Sequence, residues 1–164
     1  MSASNEINHL INQLYTVELI MKALRVRPRS YFDIELYDNE AHTLEMIVEN
    51  EGLSQAELTE RMFRTKGSTS VMVDKLIKKG LVSREKLEND RRYCILTPTE
   101  KGRKVNQAHI NYDMEHARFV AESINLKEEE LKETNRILEH LIEFYTDFQK
   151  KYNQTETSEN PTIF

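Results

Sequence analysis

Residues 53–102 read LSQAELTERMFRTKGSTSVMVDKLIKKGLVSREKLENDRRYCILTPTEKG, and the fold turns on how this stretch is read. Ser54, followed three residues on by Glu57, forms a capping box and starts a helix at Ser54. That helix carries Ala56, Leu58 and Met62, then gives way at Phe63, Arg64 and Thr65. Thr65 is a good N-cap for a second helix over about residues 66–79, which Gly80 closes. Lys75, Lys78 and Lys79 fall near its C-terminal end, where the helix dipole favours cations. Residues 81–86 (LVSREK) and 93–97 (YCILT) read as strands, joined by the polar segment 87–92 (LENDRR). Helix, turn, helix and β-hairpin is the order of a winged helix-turn-helix.

The period of the second helix divides its faces. Thr69, Met72, Val73 and Leu76 recur at i, i+3, i+4 and i+7, one stripe that must meet a core. Lys66, Ser68, Ser70, Val71, Asp74, Lys75 and Lys78 lie away from it. Short hydroxyls near a helix N-terminus allow close approach to base edges, and an outward Val71 suits a thymine methyl in the major groove. By itself the pattern also fits a solvated amphipathic helix with one exposed valine.

Charge separates the two readings. Residues 61–92 hold ten basic side chains and four acidic ones, a net of +6. The whole chain carries a formal net charge of −5, so the remainder sums to −11. An acidic protein that gathers positive charge on one segment offers a place for a polyanion, and nucleic acid is the expected partner.

The run Asp74-Lys75-Leu76, Lys79-Gly80-Leu81-Val82, Arg84, Asp90-Arg91-Arg92, Leu96-Thr97, Glu100-Lys101-Gly102 resembles the MarR family of bacterial transcription regulators. D-R-R followed by L-T and a helix-start glycine resembles that family's wing and helix-start signature, and the resemblance covers about 50 residues. Outside that block it is one of length and helix order. Here Pro98 follows the threonine and suits a first helical position with Thr97 as N-cap. The resemblance implies an obligate dimer and a wing arginine inserted in the minor groove. Arg91 is assigned to the groove and Arg92 to a brace with Asp90, an assignment in which the two arginines are interchangeable. Arg84, in the same motif, joins the expected interface.

Around the block, the chain has the makings of one mainly α domain: a three-helix core plus two-stranded β wing, with N- and C-terminal dimerisation helices. Its 164 residues are 38% hydrophobic and 31% charged, enough apolar material for a modest core. No apolar run approaches the ~18 residues of a membrane span, so no membrane partner is expected. The start MSASNEINHL lacks the basic and apolar regions of a signal peptide, and one cysteine excludes an intrachain disulfide; both fit a cytoplasmic location. Residues 6–27 read as a first helix through Ile7, Leu10, Ile11, Leu14, Met21 and Leu24, ended by Pro28. An aromatic connector follows, and Asp38 is expected to cap a helix over about 39–50 with Ala41, Leu44, Ile47 and Val48 inward. After the winged block come long helices over about 98–123 and 127–150. Ile137, Leu138, Leu141, Ile142, Phe144, Tyr145 and Phe148 give the last one a wide apolar arc, more than one monomer face requires. The resemblance implies that this arc pairs two copies; an intramolecular helical hairpin is the alternative. The expected divisions are 1–37 (dimerisation helix and connector), 38–97 (DNA-binding lobe), 98–150 (dimerisation helices) and 151–164 (disordered tail).

Two recognition helices related by a two-fold axis read half-sites about one turn apart, ~34 Å, so the expected operator is a pseudo-palindrome in double-stranded DNA. Direct readout is placed on Ser68, Ser70, Val71 and Lys75, and phosphate contact on Ser54, Gln55, Thr65, Lys66 and Lys78. Ser54 and Thr65 are equally well read as caps alone.

The resemblance also implies a small effector, bound between the dimer helices and the DNA-binding lobe. Candidate lining residues are Tyr15, Tyr31, Phe32, Tyr37, His42, His109, Tyr112, His116 and Phe119. Two effector classes compete with phenolic compounds. His109, Asp113 and His116 share one helix face at i, i+4 and i+7, and with His42 they offer zinc ligands. Residues 40–45 (EAHTLE) are similar to a helix start in fatty-acid-synthesis repressors of the family, which implies an acyl ligand. Cys94, in a predicted wing strand, reads as a small packed residue rather than a redox sensor. No resident cofactor is implied.

An enzyme is not expected: the chain has no phosphate loop, G-x-S-x-G, H-E-x-x-H or G-x-G-x-x-G. The acidic run Glu128–Glu130 complements a helix N-terminus. The remaining rival is a winged helix that binds protein instead of DNA, for which a neutral or acidic recognition helix would be the sign.

Overall fold

A computed structural model describes the backbone of residues 2–87 and 90–155, with side chains for 2–85 and 94–152. The order is α1 (Ala3–Leu24), β1 (Arg29–Tyr31), β2 (Ile34–Leu36), α2 (Asp38–Glu49), α3 (Gln55–Arg61), α4 (Lys66–Lys78), β3 (Val82–Leu87), β4 (Asp90–Pro98), α5 (Glu100–Ser123) and α6 (Glu128–Thr155). It is the mainly α winged helix-turn-helix expected. The chain divides into two compact units, residues 1–114 and 115–164. No helix among the described residues is long and apolar enough to cross a membrane.

The first unit is built around a core of Leu36, Ala41, Leu44, Ile47, Leu58, Val73, Leu76, Leu81, Leu96 and Val105. Every residue of the α4 stripe, Thr69, Met72, Val73 and Leu76, is buried, Val73 and Leu76 within this core, and Val71 on the other side is 57% exposed. Ser54 caps α3 through both capping-box bonds, from Glu57 N to its hydroxyl at 3.1 Å and from its own N to the Glu57 carboxylate at 2.8 Å. Thr65 caps α4 by accepting from Ser68 N, and Gly80 closes the turn after it at φ 72°.

Four readings are corrected. The connector holds a hairpin, β1 against β2 with Tyr31 opposite Ile34, turned at Phe32 in the left-handed region at φ 56°. No Asn-Gly or Gly pair signals such a turn. Asp38 is not a cap but the first residue of α2; Tyr37 precedes it, with its N–H bonded to the Glu40 carboxylate at 2.9 Å. Thr99, not Thr97, caps α5: its hydroxyl accepts from Gly102 N at 2.9 Å, while β4 runs on through Pro98 opposite Val82. Finally, α6 continues to Thr155, five residues into the segment read as tail. Residues 156–164 of that tail lie outside the described residues.

The wing strands pair from Val82 opposite Pro98 to Lys86 opposite Cys94, with a register shift before Leu87 opposite Asp90. The second strand therefore starts three residues earlier than the alternation of residues 93–97 suggests. At its base β4 also bonds the loop before α3, through Leu96 N to Leu53 O at 2.8 Å and Gly52 N to Leu96 O at 3.2 Å. The wing is thus anchored on both sides of β4. In the second unit, α6 carries a ladder of rings, Phe144 on Phe148 at 6.3 Å and Phe148 on Tyr152 at 6.5 Å.

Candidate nucleic-acid interface and histidine cluster

The outward face of α4 carries Lys66, Ser68, Val71, Asp74, Lys75 and Lys78, all exposed, with Ser70 half-buried beside them. Its two ends are held by α2. Lys79, which follows α4, donates to the buried Glu40 carboxylate at 2.7 Å and to the Glu35 carbonyl at 2.8 Å. Arg64, which precedes it, donates to the Thr43 hydroxyl at 2.8 Å, and burial holds its guanidinium below the usual arginine range. One 12-residue helix therefore grips the recognition helix at its start and its finish.

Those contacts revise the charge argument. Arg61 donates to Asn50, and Arg84 donates from Nη2 to both Gln55 Oε1 and Asp74 Oδ1 at 2.9 Å. Four of the ten cations are therefore engaged internally. The ammonium groups of Lys66, Lys75 and Lys78 have no hydrogen-bond or ion-pair partner among the described residues. Ser54 is 4% exposed and its hydroxyl serves the cap, so what it can offer a phosphate is the helix start rather than the hydroxyl. Gln55 is half-buried against Arg84, and Thr65 is exposed. The side chains of Asp90, Arg91 and Arg92, on which groove insertion and the wing brace were placed, lie outside the described residues.

The candidate effector residues separate into groups. Tyr31, His42, His109, Tyr112 and Asp113 come together in the first unit. Tyr37 lines two open clefts there, one of about 680 Å³ with Phe32 and Lys79, the other of about 630 Å³ with Met21, Arg25 and Lys75. Tyr15 is 61% exposed on α1 and lines neither cleft. His116 and Phe119 belong to the second unit. In the stretch 40–45, Glu40, Ala41, Thr43 and Leu44 are buried, so that likeness falls mostly on core positions.

The histidine cluster has the metrics of a cation site. His42, His109 and Asp113 each present a ligand atom within 4.8 Å of the others. His109 Nε2 lies 3.4 Å from His42 Nδ1, 3.5 Å from Asp113 Oδ2 and 3.9 Å from Glu45 Oε2. His42 Nδ1 is 3.1 Å from the same Glu45 oxygen. Ligands at zinc's bond lengths stand about 3.3 Å apart in a tetrahedron; His42, His109 and Asp113 make a three-residue group of about that scale, and Glu45 borders its two histidines. The Tyr31 hydroxyl, 2.9 Å from His109 Nδ1, already accepts from Arg29 at 3.0 Å. In the tautomer that carries its proton on Nδ1, the His109 Nε2 lone pair faces His42 and the carboxylates. Burial pushes the His109 imidazolium below the usual histidine range; Asp113 and Glu45 oppose the shift and His42 adds to it. The neutral imidazole that results is the form that ligates a metal. Glu45 was missed in the sequence, although Asp38, His42 and Glu45 at i, i+4 and i+7 carry the needed spacing.

Comparison with known proteins places this geometry. Residues 36–93 match the model of the MarR family. The chain is 26% identical to the uncharacterized HTH-type transcriptional regulator YhjH of Bacillus subtilis (strain 168), over 94% of this chain and 90% of that protein. It resembles the structure of Streptococcus pneumoniae FabT in complex with DNA at a TM-score of 0.65, with 25% identity over 88% of this chain and 99% of the other. The transcriptional regulator BldR from Sulfolobus solfataricus matches at a TM-score of 0.63 and 28% identity, over 85% of this chain and 99% of that one.

Proposed function

We propose, from the premise that this chain is a transcription regulator carrying a MarR-family domain at residues 36–93, that it binds a pseudo-palindromic operator as a cytoplasmic homodimer, represses transcription from it, and is released or retained there by a small effector. One observation carries the reading. Thr69, Met72, Val73 and Leu76, the inward stripe of α4, are all buried, which leaves Ser68, Val71, Lys75 and Lys78 as an exposed strip on a helix held at both ends. FabT was crystallised with DNA, and a helix presenting such a strip suits the major groove. Hydroxyls and Val71 meet base edges, while Lys66 and Lys78 meet phosphates. Arg91, at the wing, senses groove width.

Titration of a duplex from the chain's own promoter region at two salt concentrations tests this. Affinity is expected to fall steeply with salt, because each neutralised phosphate adds about 0.9 to the log–log slope. Arg91→Ala is expected to weaken binding about tenfold and to flatten the slope by about one. Unchanged affinity and slope would remove the wing from the interface. Weak retention on heparin at low salt would favour a protein-binding winged helix instead.

A second reading concerns the effector, which acts only through a difference in affinity between two conformations. The donor atoms of His42, His109 and Asp113 favour a zinc ion over an acyl chain, since His109 and Tyr31 are 1% and 4% exposed and leave little space around them. The ion would join α2, which grips the recognition helix, to α5. Zinc at a hundred times its dissociation constant is expected to stabilise the chelator-treated protein by about 2.7 kcal/mol, read as a rise in melting temperature. His42→Ala is expected to abolish the rise. An equal rise in the variant, or none in the parent, discards the zinc reading.

A further inference from the structure

We propose that Asp74 is a specificity-determining residue of the recognition helix, its carboxylate accepting a hydrogen bond from an exocyclic base amino group in each half-site while Arg84 holds and neutralises it. The inference rests on the DNA-binding reading above and adds a base-reading residue to it. Asp74 is the one acidic residue in Lys66–Lys78, on a face otherwise made of hydroxyls, Val71 and lysines. Its side chain is 60% exposed. A bare carboxylate on a surface meant for a polyanion repels it, so the residue needs both a reason and a counter-charge.

The counter-charge is built in. Arg84 Nη2 sits 2.9 Å from Asp74 Oδ1 and also 2.9 Å from Gln55 Oε1, which joins the wing strand, α4 and the start of α3 through one guanidinium. An exposed ion pair of this kind adds little to folding, so fold stability does not account for it. Only Oδ1 is engaged among the described residues, which leaves Oδ2 able to accept. In the major groove, cytosine N4 and adenine N6 are donors, whereas guanine O6 and N7 and thymine O4 are acceptors. A fixed carboxylate accepts from the former and is repelled by the latter, so it selects by rejection as much as by attraction. Arg84 and Gln55 are then positioning residues, acting through Asp74.

The test is a panel of duplexes carrying single base-pair changes across both half-sites, titrated with the full chain and its variants. Asp74→Ala is expected to lose about tenfold discrimination at one symmetric position per half-site and to keep it elsewhere. Arg84→Ala is expected to lose discrimination at that same position, and the double variant to lose no more there than either single one. Asp74→Asn, close to isosteric, guards against a folding defect and is expected to relax the same position. A uniform change in affinity over all duplexes, with the profile intact, overturns the inference and leaves the DNA-binding reading standing. A parent chain with no preference among duplexes overturns both.

Discussion

Gly102→Ala is expected to destabilise the fold by about 3 kcal/mol, against the direction that helix propensity alone would give. Gly102 lies in the first turn of α5 with no positive φ, and alanine in a helix interior is favoured over glycine by about 1 kcal/mol. Packing reverses the sign. A Cβ at Gly102 would overlap the carbonyl oxygen of Leu81 and stand 3.0 Å from its carbon. Leu81 cannot yield, because its side chain is fully buried and its carbonyl accepts from Thr99 N at 3.0 Å. The Thr99 hydroxyl donates to the neighbouring Gly80 carbonyl at 2.7 Å, so backbone is stitched to backbone where α5 leaves the wing. Gly67→Ala is the control: that position has nothing within 4 Å of a new Cβ, and the change is expected to be neutral or stabilising by up to about 1 kcal/mol. Urea unfolding of both variants reads the difference. A Gly102→Ala midpoint at or above the parent's would refute the close approach.

Local signals were legible because their partners lie within a few residues. The Ser54–Glu57 capping box, the Thr65 cap and the α4 stripe depend on spacings of three and four, and each stands in the structure as the spacing implies. His109 and Asp113 were likewise paired by helical spacing. What escaped is non-local or against propensity. Lys79 finds Glu40 across 39 residues, and nothing in either neighbourhood announces it. The β1–β2 hairpin turns on a phenylalanine at φ 56°, where turn chemistry calls for glycine or asparagine. Pro98 invited a helix start, yet it extends the strand opposite Val82 and passes the cap to Thr99. Net charge over residues 61–92 singles out a basic lobe but does not say which of its cations stand free at the surface. Arg61, Arg64, Lys79 and Arg84 spend their donors on the protein itself.

Replacing Ile142 and Phe144 together by glutamate is expected to yield a monomer that binds the operator about a thousandfold more weakly than the parent. The α6 residues Ile142, Phe144 and Tyr145 are 63%, 61% and 49% exposed in the single chain. On the homodimer reading proposed above, this apolar surface is where a second copy would pack. A pseudo-palindromic operator, as proposed above, would require a second copy there. Once one lobe of a dimer is docked, the other meets its half-site at an effective concentration in the millimolar range, an advantage of 10²- to 10⁴-fold that needs no new contact. The glutamates remove that linkage and leave the basic lobe alone. Single half-site affinity and its salt dependence are therefore expected to match the parent's, and far-UV circular dichroism to keep its helical signal. Sedimentation equilibrium reads the assembly state. A double variant that stays dimeric would show that α6 is not the joint, and a monomer that held the full palindrome as tightly as the parent would show that two-fold pairing is not what makes the operator a site.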